Sequence, residues 1–319
     1  MHLNTTADKR FWVNEAPFLF LGEWCFLYPD KKENYAGSEV LKYPWDDRKL
    51  LLQNHSEVRV LYEVLLTKMV VLLNDLHGTH YSEKAWRIWI GPWLLWFLEV
   101  LFSRFLLIEK AVSSHKITST ITSSCELSYL APRSYAHLNT DLWNSDVYNH
   151  LIFSEIIKSG FAGEIPYTEK VIDEPQPYSP STDLALKRTK WPLNHSSLVF
   201  ANSLLPRRDS YSLSLLLGKI PSVFSVETEP DITNTYSAAQ RTLLKQALQV
   251  AIPMNPNPFE RFIFTHLTNY IPKVYVEGFK EQLKYIDSTL SQHTPKVIVT
   301  GLGHLGNTSS IFLDRKTCE

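Results

Sequence analysis

Cysteine is scarce in this chain of 319 residues. The three cysteines, Cys25, Cys125 and Cys318, are odd in number and far apart in the sequence. They cannot form the disulfide framework of a small secreted domain, and they lack the paired spacing of a zinc site. The sequence therefore predicts a protein of the reducing cytoplasm, and it predicts no metal site.

An excess of charge of either sign is also missing. Lys and Arg number 32 and Asp and Glu number 33, which gives a formal net charge of -1. Proteins that bind nucleic acid usually carry a basic surface, so this balance does not predict a nucleic-acid partner. Residues 1–10 lack the apolar run of a secretory signal peptide. We expect a cytoplasmic protein in which any anionic ligand meets a local group.

No apolar run is long enough to cross a membrane. Residues 88–98 are strongly apolar, but Arg87 and Glu99 bracket them and Arg104 interrupts the next apolar stretch, whereas a spanning helix needs about 20 apolar residues. We predict instead a buried helix that begins at Pro92, with Gly91 supplying an unusual backbone angle at its entry. An aromatic segment that contacts a membrane surface is the alternative.

The chain does contain strands and helices in alternation. Apolar or β-branched runs predict strands at residues 18–22, 117–122, 198–203, 222–227 and 296–300. Helical spacing predicts helices at residues 46–74, 146–158, 209–217, 237–250, 258–270 and 278–290. This order predicts an α/β fold with a Rossmann-like, mostly parallel sheet, helices on both faces and a helix-rich N-terminal half.

Proline divides the chain into three regions. Residues 163–197 carry five prolines among polar residues and are predicted to be a loop or linker. This loop or linker separates an α/β region at residues 1–162 from an α/β continuation at residues 198–319. Because little chain follows the last predicted strand, we expect the continuation to end in an incomplete βα unit and the chain to be truncated.

The sharpest formal motif is G-x-G-x-x-G at residues 301–306, directly after a predicted strand. It matches the dinucleotide fingerprint, in which glycines let the backbone approach a pyrophosphate. The expected acidic residue about 20 positions later would lie beyond Glu319. A glycine-rich turn is therefore favoured, and an NAD-dependent oxidoreductase remains as an alternative.

Four residues are candidates for a general base on their own chemistry. Glu23 follows the first predicted strand, where parallel sheets build ligand sites, although a solvent-exposed turn is the simpler explanation. Asp46 and Asp47 precede a helix that either could cap, which leaves the other for function. His77 could move a proton or bind a metal, but a structural histidine is favoured.

Several motifs together resemble a transferase family encoded in bacterial O-antigen and surface-polysaccharide gene clusters. The resemblance is dense over residues 3–158 and thinner beyond. It rests on Leu3, Thr5, Thr6, Trp12, Leu21-Gly22-x-Trp24-Cys25, Tyr43-x-Trp45-Asp46-Asp47-Arg48, Tyr62-Glu63, Leu73-Asn74, His77, Trp86-Arg87-Ile88-x-Ile90-Gly91-Pro92-Trp93-Leu94 and Asp146-x-Tyr148-Asn149-His150.

The resemblance implies a GT-B-like glycosyltransferase of two facing Rossmann-like lobes, of which this chain is the first. It implies that this lobe holds a sugar or lipid-linked glycan acceptor and binds no cofactor. A nucleotide-sugar donor would bind through a missing second lobe, so this part would be inactive alone.

The resemblance also supplies candidate site residues and a location. The base would be Glu23, Asp46, Asp47 or His77. The expected substrate-binding residues are Thr5, Thr6, Gly22, Trp24, Arg87, Asn149 and His150. The location implied is the cytoplasm, with peripheral contact at the inner membrane, and a non-catalytic module that binds a membrane surface or a partner is the remaining alternative.

Overall fold

The computed structural model describes residues 1–14, 17–26, 35–173, 198–201, 205–219, 223–224, 235–290 and 297–300. It confirms a helix-rich α/β architecture with small parallel sheets. The strands are β1 (His2–Asn4), β2 (Phe18–Phe20), β3 (Glu39–Val40), β4 (Thr120–Ser124), β5 (Tyr167–Val171), β6 (Leu198–Ala201), β7 (Val223–Phe224) and β8 (Val297–Thr300). The helices are α1 (Arg48–His77), α2 (Glu83–Trp89), α3 (Gly91–Ser114), α4 (Tyr135–His137), α5 (Asp146–Gly160), α6 (Arg207–Leu216), α7 (Ala238–Val250), α8 (Pro258–Tyr270), α9 (Lys273–Val276) and α10 (Phe279–Leu290).

Two small parallel sheets lie side by side and position the site, and one bridge between His2 and Ser119 links them. β1 pairs with β2 and β2 with β3, while β4 pairs with β5. Hydrogen bonds join the two groups, because the amide of Leu3 donates to the Ser119 carbonyl at 2.9 Å and Thr120 Oγ1 donates to the Leu3 carbonyl at 2.8 Å. The strand order is therefore β3-β2-β1-β4-β5. β2 and β3 lie on one side of β1, and β4 and β5 lie on its other side.

A third parallel sheet has the order β7-β6-β8. Its three strands were predicted at residues 198–203, 222–227 and 296–300, and the structure confirms a shorter strand in each. The glycine motif at residues 301–306, the incomplete βα unit and residues 174–197 of the predicted linker lie outside the described residues.

Helix α1 has both of its ends fixed by local chemistry. Asp47 is the N-cap, and its side chain accepts hydrogen bonds from the amides of Lys49 and Leu50. Gly78 closes the helix in the left-handed conformation, with φ of 65°. The predicted capping by an aspartate is confirmed.

Helix α3 is a core helix that packs against α1, α2 and α5. It begins at Gly91, with Pro92 in the first turn as predicted. The predicted reason for Gly91 was wrong, because its φ is not left-handed. A β-carbon there would lie 2.7 Å from the Tyr62 hydroxyl, so the glycine instead permits a close approach of Tyr62.

By length and composition, α3 could cross a membrane, and among the described residues no other helix meets that test. Half of its most apolar window is buried inside the protein. Core helices of soluble proteins have the same character, so length and composition alone do not make it a spanning helix.

One apolar core joins both parts of the chain. It runs from Leu3 to Phe279 and contains buried side chains of α1, α3, α5, α7 and α8. Three strands, β1, β3 and β5, were not predicted. β1 precedes the expected first strand, and β5 lies within the segment that was expected to be a loop.

Candidate functional site

A cleft of about 360 Å³ opens outside the carboxyl ends of β1 and β2. This is where the strand order reverses, because β1 has β2 on one side and β4 on the other. In open parallel sheets, ligands bind at such a point. The lining residues come from strand exits, from α3 and from the start of α5: Thr5, Trp24, Tyr43, Ser103, Arg104, Leu107, Trp143, Asn144, Asp146, Asn149 and Phe153.

Arg104 projects from α3 into this wall. Its guanidinium donates hydrogen bonds to the Asn149 side chain and, at 3.2 Å, to the Val100 carbonyl. The guanidinium carbon lies 4.9 Å from the centre of the Trp143 ring. Burial lowers the pKa of Arg104 to about 10, so the side chain stays charged at neutral pH. All of these partners are uncharged.

Asp146 is the carboxylate among the residues that line the cleft. It is the first residue of α5, after the N-cap Ser145. Burial raises the pKa of Asp146, and the nearby Asp8 raises it further. A partly desolvated carboxylate with a raised pKa is a better proton acceptor than one in water, which suits a general base.

His150 lies below the cleft and connects the segments that form its floor. Its Nδ1 is 2.7 Å from Thr5 Oγ1, its Nε2 is 3.0 Å from Ser123 Oγ, and Phe11 stacks on the ring at 4.2 Å. The imidazole is 1% exposed. Burial lowers its pKa to about 3, so the ring is neutral at physiological pH. His150 therefore fixes the exits of β1 and β4 and is not exposed to a ligand.

Asn149 and Trp24 are held in place by hydrogen bonds. The Asn149 amide donates to the carbonyls of Trp143 and Ser145, each at 2.9 Å, which turns its oxygen towards Arg104. Trp24 Nε1 donates to the Thr5 carbonyl at 3.3 Å. Of the expected substrate-binding residues, Thr5, Trp24 and Asn149 line the cleft.

Gly22 and Thr6 support this wall from behind. The backbone of Gly22 is extended, with φ of −178°, so any residue could adopt it. The glycine is needed because the Trp24 ring lies directly over it. Thr6 is buried; its hydroxyl accepts from the Asp8 amide at 3.2 Å and its carbonyl accepts from Trp12 Nε1 at 2.7 Å.

None of the four predicted bases lines the cleft. Glu23 is exposed in a single turn after β2, Asp46 ends a short turn before α1, and Asp47 caps α1. His77 is buried; its Nε2 donates to the Tyr275 carbonyl at 3.0 Å and its ring stacks on Phe279 at 4.3 Å. Burial lowers the pKa of His77. This environment agrees with the structural role that was favoured for it.

Arg87 lies on the surface in a network of charges. It donates to both carboxylate oxygens of Glu63, at 2.8 and 2.7 Å, and to Glu83 at 2.7 Å. These contacts raise the pKa of the Arg87 guanidinium. Its charge is thus compensated by two carboxylates away from the cleft.

Sequence reasoning gave no role to Arg104 or Asp146. Arg104 was noted as a charge that interrupts an apolar helix, and this signal could have marked it, because a buried charge needs a partner or a ligand. Asp146 stood within a family motif. Among the described residues, no group of three or more His, Cys, Asp or Glu side chains could hold a metal ion.

A family model described as LIC12162 family transferase matches residues 1–314. No curated protein and no solved structure matches the chain.

Proposed function

The chain belongs to the LIC12162 family of transferases, and we propose that it transfers a sugar from a nucleotide-activated donor to a sugar or lipid-linked glycan acceptor. We place this reaction in the synthesis of O-antigen or another surface polysaccharide. The transferase class comes from the family. The observation that carries the sugar chemistry is the cleft itself, which sets a partly desolvated carboxylate, Asp146, beside aromatic and hydrogen-bonding side chains.

The composition of the cleft suits a saccharide. Trp24, Tyr43 and Trp143 offer flat apolar faces for the C–H face of a sugar ring, and Tyr and Trp also carry a polar group. Thr5 and Asn144 supply hydrogen-bonding groups at the same surface. Such a combination of aromatic walls and few polar groups is typical of small-molecule sites.

In the proposed reaction, Asp146 accepts the proton of an acceptor hydroxyl. The hydroxyl oxygen forms a bond to the anomeric carbon of the donor sugar, while the bond from that carbon to the phosphate oxygen breaks. The electron pair leaves with the nucleoside diphosphate. A base matters here because a neutral hydroxyl is a weak nucleophile.

The remaining expectations form part of this proposal. The order β3-β2-β1-β4-β5 supports a Rossmann-like first lobe, since it is the strand order of a doubly wound sheet. We propose that this lobe serves the acceptor, that the donor nucleotide is held outside the cleft, and that residues 1–162, 163–197 and 198–319 are its three parts. The protein would work in the cytoplasm, at the inner membrane surface where lipid-linked glycans are built.

The alternatives gain no support. The glycine motif on which an NAD-dependent oxidoreductase depends lies outside the described residues, and membership of a transferase family does not favour that chemistry. In the aromatic segment on which a membrane-binding module would depend, Trp89 and Trp93 are fully buried, and Trp96 is 50% exposed. A single exposed tryptophan is a small surface for binding a membrane.

The test is release of nucleoside diphosphate from a panel of nucleotide sugars, with lipid-linked glycans or simple glycosides as acceptors. We expect the chain to turn over one donor, which would overturn the expectation that it is inactive alone. The variant Asp146→Asn should lose about 100-fold or more of that activity, because general-base catalysis contributes factors of this size. Glu109→Gln, which neutralises an exposed carboxylate on α3, is the matched control.

Two results would contradict the proposal. If no nucleotide sugar is consumed, the sugar chemistry is wrong. If Asp146→Asn is fully active and Glu23→Gln is not, the base is Glu23, and the cleft is not the acceptor site.

A further inference from the structure

Arg104 differs from the other arginines that the structure shows in strong interactions. Arg241 is 3% exposed, but Glu277 binds it at 2.7 Å. Arg10 pairs with Asp8, and Arg87 pairs with two glutamates. Within the described part of the chain, no ion pair includes Arg104, and its Nε is buried without a hydrogen-bond partner.

Arg104 is partly buried as a residue, and its Nε is fully buried. Burying a cation without an anion is costly, because burial removes its hydration and neutral partners return only part of that energy. The effect is visible in the pKa of Arg104, which burial lowers to about 10. A ligand that brings a negative charge into the cleft would offset this cost. Guanidinium groups bind phosphate and carboxylate oxygens especially well.

Neighbouring side chains hold the Arg104 guanidinium in a position to bind such a ligand. Asn149 accepts one of its N–H groups, and Trp143 and Phe153 lie against it at 4.9 and 5.9 Å. Both aromatic residues and Asn149 also line the cleft. In addition, α5 begins at this wall, and the positive end of its dipole favours an anion there.

We propose that Arg104, with Asn149, forms an oxyanion subsite, and that the saccharide bound in the cleft carries a phosphate or a carboxylate. Its oxyanion lies at Arg104 and one of its hydroxyls meets Asp146. The oxyanion subsite stands on the geometry of Arg104, whereas the saccharide that carries the anion rests on the proposed function. The acceptor would then be a sugar phosphate or a sugar acid.

Calorimetric titration of the full chain tests for the oxyanion subsite, and it requires no transfer reaction. The probes are glucose 1-phosphate, glucuronate, neutral glucose and uridine diphosphate. We expect at least one of the two anionic sugars to bind about tenfold or more tightly than glucose. Inorganic phosphate should compete, and binding should weaken as salt rises.

Variants of Arg104 test whether this residue causes the preference for an anionic sugar. Arg104→Gln should abolish the preference for the anionic sugar, and Arg104→Lys should keep part of it, because lysine retains the charge without the planar fork. Arg261→Gln removes an exposed arginine of α8 and is the matched control. Circular dichroism checks the fold of each variant. Should Arg104→Gln fail to fold, phosphate competition and salt dependence of the unaltered chain decide the question.

Each outcome bears on a different part of the proposal. A preference for glucose 1-phosphate indicates a phosphate-bearing saccharide, and one for glucuronate indicates a sugar acid. Equal binding of glucose and both anionic sugars, or a preference that survives in Arg104→Gln, overturns the subsite. Uridine diphosphate that displaces the sugars and depends on Arg104 overturns the assignment to a saccharide. If Arg104-dependent binding holds while no nucleotide sugar is consumed, the proposed function fails and the subsite does not.

Discussion

The indole ring of Trp24 covers Gly22 so closely that a β-carbon at position 22 would lie 1.9 Å from Trp24 Cζ3. The backbone at Gly22 is extended, so the glycine is required by this contact and not by its conformation. Trp24 also donates to the Thr5 carbonyl and lines the cleft. The glycine thus allows one wall of the cleft to close against the exit of β1.

Gly22→Ala should displace Trp24 from the cleft wall. We expect sugar binding to weaken about tenfold, and the free energy of unfolding to fall by about 1–3 kcal/mol, as for other overpacked sites. Calorimetry and urea unfolding measure the two effects. Gly163→Ala is the control, because a β-carbon there meets nothing within 4 Å. Equal behaviour of the two variants would show that Trp24 does not form this wall.

A second close approach joins Gly91 and Tyr62. A β-carbon at position 91 would lie 2.7 Å from the Tyr62 hydroxyl, but its distance to the ring carbon that bears the hydroxyl would be 3.8 Å. Gly91→Ala should therefore cost about 1–3 kcal/mol of stability. Tyr62→Phe removes the clashing oxygen, so the double variant should recover most of that loss. Urea unfolding of both single variants and the double variant gives the coupling, and additive losses would contradict this explanation.

The helices could be predicted because their signals are local. Asp47 and Gly78 mark the ends of α1 in the sequence, and the cap geometry follows from those residue types. The strands β1 and β5 could not be predicted in this way. β1 has three residues, and β5 is exposed along its whole length without apolar alternation. Both strands form because neighbouring strands pair with them. The sequence alone does not show which segments become neighbours in the fold.

The site could be predicted only in part for a similar reason. Thr5, Trp24 and Asn149 were expected from the family motifs, and the fold brings them to one cleft. The role of Arg104 depends on which side of α3 faces that cleft and on the lack of a carboxylate paired with it in the described residues. Helical spacing in the sequence shows neither property. Asp146 looks like a first-turn acid that favours the helix dipole until the cleft is seen.

His150 predicts a pH dependence of stability. Burial lowers its pKa from 6.5 to about 3 in the folded protein. The unfolded chain therefore takes up a proton below its own pKa while the folded protein does not, so stability is full above about pH 6.5 and is lost as the pH falls. The slope from this one histidine approaches about 1.4 kcal/mol per pH unit.

The measurement compares urea unfolding of the unaltered chain and of His150→Gln at about pH 7 and about pH 5. His150→Gln should be less stable at the higher pH, by about 1–3 kcal/mol, because Thr5 and Ser123 lose hydrogen-bond partners. It should also lose less stability on acidification than the unaltered chain. His77 and His137, whose pKa values burial also lowers, contribute to the pH dependence that remains. An identical drop in both proteins would show that His150 is protonated in the fold.

Asp146 predicts the pH dependence of transfer. As a base it must be ionised, and burial together with Asp8 raises its pKa. The value of kcat/KM should therefore rise with pH through a midpoint above the ordinary pKa of aspartate, about 3.9. The variant Asp8→Asn removes the like charge, so it should move that midpoint to lower pH while Asp146→Asn abolishes the rise. A midpoint that Asp8→Asn does not move, in a chain that remains folded, would mean that another group controls the acid limb and that Asp146 is not the base.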